Sequence, residues 1–108
     1  MRSQSADYDE RLLRRSRRAY EDFIGTAKLM GQAKSLAKRI GEAGKMIARI
    51  DERLAEKDFR IGRFYERTGR PASALYYYDR CLVNFPSTRH AAACRERIKR
   101  LRPARKAS

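Results

Sequence analysis

Between residues 55 and 88, small residues, aromatics and turn formers recur at offsets that fit two antiparallel helices in close contact. Counting Ala55 as the first position, Ile61 is a large apolar residue at the seventh and Gly62 a small one at the eighth. Tyr65 and Tyr78 supply aromatic bulk, while Ala74 and Cys81 keep the facing helix thin. Small side chains at Gly62 and Ala74 let the two backbones approach, and the tyrosines fill the wedge beside them. Gly69 suits a left-handed helix end, and Pro71 fits the first position of the next helix, where its missing N–H costs nothing. Pro86 ends the second helix, so the chain can reverse.

These offsets resemble the tetratricopeptide repeat, a helical hairpin of about 34 residues. The departure is its fourth position, where an aromatic is usual and Asp58 stands, with Phe59 beside it. One such hairpin cannot bury both faces and stacks on neighbours. The expected fold is therefore all-α: antiparallel hairpins of tetratricopeptide, or α-solenoid, type, with about four helices, one of them long.

The neighbours are read from the rest of the chain. Residues 1–6 are polar and expected to fray, and Asp7 with Glu10 three residues on resembles a capping box. Leu12, Leu13, Ala19, Tyr20, Phe23 and Ile24 form a loose apolar stripe, and Gly25-Thr26 is the first expected break. From Leu29 through Ala33, Leu36, Ile40, Ala43, Ile47 and Ile50 to Leu54 the apolar spacing alternates four and three, a heptad seam. Residues 7–50 thus read as a basic helical region, either a degenerate repeat or a heptad-like long helix. The seam is open to two uses: a coiled-coil oligomer, or packing within the chain. Gly31, Gly41 and Gly44 punctuate it, permitting close approach or marking a local break. The middle helix is free to run on into residues 51–67, since nothing between Ile47 and Arg67 is a strong breaker. Residues 51–102 then hold the hairpin and a capping helix started by Ser87-Thr88, with Ala91, Cys94, Ile98 and Leu101 on one face. Pro103 is expected to stop that helix, leaving 103–108 as a basic tail.

The formal net charge of +14 directs attention to anionic partners. Its distribution is uneven: residues 25–50 carry 6 basic and 1 acidic side chains, and 87–108 carry 8 and 1. The segment 51–86 is nearly balanced, with 7 and 6. Lys28, Lys34, Lys38, Arg39, Lys45 and the 95–106 cluster are the candidates for nucleic-acid or anionic-surface binding. A solvated basic helix end suited to the helix dipole is the simpler account of the tail, since no aromatic side chain interleaves with its charges. Cys81 and Cys94 fall at apolar positions and read as buried thiols, with no metal-binding spacing around them. His90 stands alone, and no paired carboxylates, phosphate loop or nucleophile triad can be recognised, so no enzyme activity, cofactor or metal is expected.

The stretch Arg53-Leu54-Ala55 leading into an aromatic-rich helix that ends Arg67-Thr68-Gly69, then Leu75-Tyr76-Tyr77-Tyr78, then Phe85-Pro86-Ser87-Thr88, resembles the outer-membrane assembly lipoprotein BamD family. The resemblance covers residues 47–101, and Ala19 to Ile24 also looks like the end of a preceding repeat. It implies a periplasmic scaffold held by an N-terminal lipid, with the barrel-bearing assembly subunit and nascent outer-membrane proteins as partners. Family members are longer, begin with a signal peptide and a lipidated cysteine, and usually carry Asp where Ser87 stands. Met1 to Ser5 has no apolar run behind it, so the chain as written is expected in the cytoplasm, or at the periplasmic face of the outer membrane if it is a fragment of such a lipoprotein.

The expected function is a non-catalytic scaffold that binds a protein or peptide. In stacked hairpins of this type the first helix lines the groove, which assigns Glu56, Phe59, Arg63, Glu66 and Arg67 to the ligand. Arg63 and Arg67, one turn apart, suit a carboxylate or an acidic peptide. Phe59 and Arg63 occupy positions where a chaperone-type carboxylate clamp needs Lys and Asn, so that type of clamp is excluded. The alternative is a basic helical protein that binds nucleic acid or an anionic surface.

Overall fold

The computed structural model describes the backbone of residues 2–107 and the side chains of 9–102. It contains four helices: α1 (Arg2–Leu29), α2 (Ala37–Arg67), α3 (Pro71–Asn84) and α4 (Arg89–Ala107). Among the described residues there is no strand. The chain divides into two units, Met1–Ile50 and Asp51–Ser108, and the boundary falls inside α2.

In the first unit, the break expected at Gly25 lies elsewhere. α1 runs through Gly25 to Leu29, and the chain turns over residues 30–36. Gly31 adopts φ 70, the left-handed conformation that closes a helix. The N–H of Gln32 donates to the carbonyl of Ala27 at 2.8 Å, and that of Gly31 to Lys28 at 3.2 Å. This pair of bonds is a Schellman end, whereas Gly25 has no positive φ and stays inside α1. The start also differs. α1 begins at Arg2, so residues 2–6 are helical and Asp7 lies inside the helix rather than at its cap.

The heptad seam is therefore cut. Leu29 is 91% exposed and Ala33 lies exposed in the turn, so neither belongs to a continuous seam. The part from Leu36 onward is covered: Ala43, Ile50 and Leu54 are buried, and Leu36, Ile40 and Ile47 half-buried. Gly41 and Gly44 sit inside α2 with open space where a Cβ would lie, so they mark neither a close approach nor a break.

The second unit is built from the end of α2 with α3 and α4. Gly69 has φ 77, and the N–H groups of Gly69 and Arg70 donate to Glu66 and Tyr65, a second Schellman end. Pro71 opens α3 immediately afterwards. A Cβ built on Gly62 would lie 2.4 Å from Cε1 of Tyr78, so α2 and α3 meet at a distance only glycine permits. Ala74, Tyr78, Cys81, Ala91 and Cys94 are fully buried, and Leu75, Phe85 and Ile98 nearly so. Thr88 caps α4: its hydroxyl accepts from the N–H of Ala91 at 3.1 Å and donates to the carbonyl of Phe85 at 2.7 Å. Replacing such a cap by Ala typically costs about 1 kcal/mol. The expected stop at Pro103 is not observed: α4 continues to Ala107.

Candidate partner-binding surface

The five side chains assigned to a groove separate into two groups. Phe59 packs against Tyr78 at 6.0 Å and His90 at 5.8 Å between ring centroids, so it belongs to the helix contacts rather than to an open groove. Glu66 is likewise engaged inside the unit. It accepts a 2.7 Å hydrogen bond from the Tyr78 hydroxyl and a two-pronged contact from the Arg97 guanidinium of α4. That contact with Arg97 holds the Glu66 carboxyl below its ordinary range, against the opposing effect of partial burial. The same contact raises Arg97, while burial, reinforced by Glu66, raises the Tyr78 phenol. Glu56 pairs with Arg60 one turn along at 2.8 Å, an exposed pair worth at most about 0.5 kcal/mol.

Arg63 and Arg67 remain available. Arg63 is half-buried and lies close enough to Glu66 to help lower its pKa; Arg67 is exposed in the last turn of α2. Among the described residues, neither is hydrogen-bonded to a carboxylate. By contrast, every carboxylate of residues 51–102 has a partner. The carboxylates of this unit are therefore all paired, whereas Arg63 and Arg67 have no hydrogen bond to a carboxylate among the described residues.

The packing residues of the hairpin fall as follows. Gly62, Ala74, Tyr78 and Cys81 are buried, Ile61 and Tyr65 half-buried, and Gly69 and Pro86 exposed at the turns. Tyr65 does not enter the wedge beside Gly62. It stacks on Tyr77 at 5.8 Å, within a run of rings that continues to Phe64 and Tyr76 on the exposed face. Asp58, at the departing position, is buried with Arg80 Nε 3.7 Å away. Burying a carboxylate there is tolerable only because it is paired.

Sequence reasoning missed two arrangements. The first is the pair Glu52–His90: Glu52 accepts from the backbone N–H of Arg89 at 2.8 Å and meets His90 Nδ1 at 3.1 Å. Burial pushes the Glu52 carboxyl up, but these hydrogen bonds outweigh it and leave it lowered. The carboxylate thus sits at the positive end of α4, a structural use of the only histidine. No pattern within either helix alone could have joined them. The second is a groove of about 740 Å³ in the first unit, with Tyr20, Phe23, Ala43 and Met46 on its floor and Arg39 and Arg49 at its edge. The stripe containing Tyr20 and Phe23 was visible, but its opposite wall was not.

Cys81 and Cys94 are both free thiols with no exposed surface, and contact with Cys81 and burial hold the Cys94 thiol well above its ordinary range. Among the described residues, no group of His, Cys, Asp and Glu could hold a metal ion, and no helix is long and apolar enough to cross a membrane. Arg105 and Lys106 of the tail lie outside the described side chains. No family model matches the chain, and no match is found among the curated proteins or the solved structures. The likeness of residues 47–101 to the BamD family rests on the quoted residues alone.

Proposed function

We propose that the chain is a non-catalytic helical scaffold that captures a polypeptide through carboxylates on that partner. The observation that carries this reading is the imbalance within residues 51–102. The acidic side chains are consumed by internal pairs, while Arg63 and Arg67 stand one turn apart on α2. Two guanidiniums at that spacing match one or two carboxylates and present planar, bidentate donors. The finer reading, a tetratricopeptide-type unit with a place in outer-membrane protein assembly, is supported by the offsets of residues 55–88 and the likeness of residues 47–101. The barrel-bearing assembly subunit is the partner that likeness suggests.

The test is a pull-down from native extract with the full chain, comparing Arg63→Glu with Arg67→Glu against Arg100→Glu with Arg102→Glu. The scaffold reading expects the first double variant to lose the polypeptide and the second to keep it. A second reading has its own observation. Lys28, Lys34, Lys38, Arg39 and Lys45 are all exposed, and none pairs with a carboxylate among the described residues. Nucleic-acid binding through that block would be retained by both double variants and would fall steeply with salt.

A further inference from the structure

The first unit contains two apolar stripes that cover each other only in part. Ala43 is buried, yet Tyr20, Phe23 and Met46 remain half-exposed and Ala19 exposed. Between them runs the groove of about 740 Å³, and a second hollow of about 330 Å³ shares Ala19 and Phe23 with it. The floor is therefore continuous along α1. On α2 the lining runs from Arg39 to Arg49, about 15 Å at the rise of a helix, with the apolar Ala43 and Met46 about one turn apart at its middle.

The edge of this groove is charged. Arg39, Lys45 and Arg49 line it with a single carboxylate, Glu42. All three cations are exposed, and none has a carboxylate partner among the described residues. A lining of that length with an apolar middle, set between two helices, fits the apolar stripe of a third helix. A cationic edge selects acidic side chains on the flanks of that stripe, where they remain at the water boundary.

We infer that this groove seats one acidic amphipathic helix of a polypeptide partner. The assignment rests on the scaffold reading above and gives it a second contact, separate from Arg63 and Arg67. Nucleic acid is the weaker fit: Tyr20 and Phe23 present ring faces on which a base can stack, but Ala19, Ala43 and Met46 make up the rest of the floor and offer it none.

The test uses the full chain and a labelled synthetic helix of about 14 residues, with Leu at i, i+3, i+4 and i+7 and Glu on both flanks. A twin peptide carries Lys in place of Glu. Fluorescence anisotropy should show binding of the Glu peptide and at least about tenfold weaker binding of the Lys twin. Ala19→Arg is the deciding variant, since it blocks the floor while adding a positive charge. Ala19 is exposed on a helix, so circular dichroism should show the fold unchanged. A groove predicts at least about tenfold weaker binding, whereas simple charge attraction predicts tighter binding. Arg39→Glu with Arg49→Glu should weaken the Glu peptide and not the Lys twin.

Equal binding by Ala19→Arg, equal binding of the two peptides, or no binding at about 1 mM peptide would each overturn the assignment. Displacement of the Glu peptide by a single-stranded oligonucleotide that binds more tightly would overturn it as well. The scaffold reading survives those results if Arg63→Glu with Arg67→Glu still abolishes polypeptide capture.

Discussion

Gly62 and Tyr78 show what a single position can decide. The ring of Tyr78 is fully buried, lies where a Gly62 side chain would go, and has its hydroxyl tied to Glu66. Gly62→Leu is therefore expected to lower stability by at least about 1–3 kcal/mol, the usual range for overpacking a core. Ala74→Leu, at another fully buried position, should act in the same direction. Thermal melting checks both, and a midpoint within a few degrees of the parent would deny the close contact. Glu66 carries a pH signature. Its carboxyl is lowered below the ordinary 4.5 mainly by Arg97, so its contribution to stability is complete above that value. The contribution is lost as pH falls through the lowered folded value. Glu66→Gln should consequently cost stability at pH 7 and cost much less near pH 3, as read by denaturant titration at the two pH values. An equal cost at both would show that the ionised pair with Arg97 contributes nothing.

At the scale of elements, the helices were legible where punctuation was doubled. Gly69 with Pro71 and Phe85-Pro86 with Thr88 each combine a stop with a start, and both turns occur at those residues. Single glycines were ambiguous. Gly25 and Gly31 look alike in sequence, but only Gly31 takes a positive φ and closes a Schellman end. The heptad seam from Leu29 to Leu54 looked continuous because apolar spacing alone does not register a turn between two of its members. The same limit applies to the candidate groove. Arg63 and Arg67 followed from spacing on one helix, whereas the capture of Glu66 and Phe59 depends on Arg97 and His90, which come from α4. At the turns themselves, Gly31→Ala and Gly69→Ala force a Cβ into the left-handed region. Each is expected to cost about 1 kcal/mol, measured by chemical denaturation. Gly41→Ala and Gly44→Ala should instead stabilise by up to about 1 kcal/mol, since nothing lies near the added methyl. Destabilisation by those two would mean that α2 is packed more tightly there than its surroundings show.

For the whole molecule, the formal charge of +14 allows two kinds of partner, and the structure distributes that charge unequally. Three cations of the first unit, Arg39, Lys45 and Arg49, line an apolar groove. Those of the second include Arg63 and Arg67, beside carboxylates already engaged. Neither unit presents the His, Cys and carboxylate grouping that a metal site requires among the described residues. The function was less legible than the fold, because an amphipathic pattern specifies which face is buried but not which molecule meets the charged face. Polypeptide capture through the second unit is most directly tested with a nuclease-treated native extract, passed over the parent chain and over Arg63→Glu with Arg67→Glu in rising salt. A polypeptide should still be retained by the parent after nuclease digestion, with a logarithmic salt slope no steeper than about −2, and should be lost by the variant. Capture that disappears with the nucleic acid, or that survives in the variant with a slope of about −5, would contradict it.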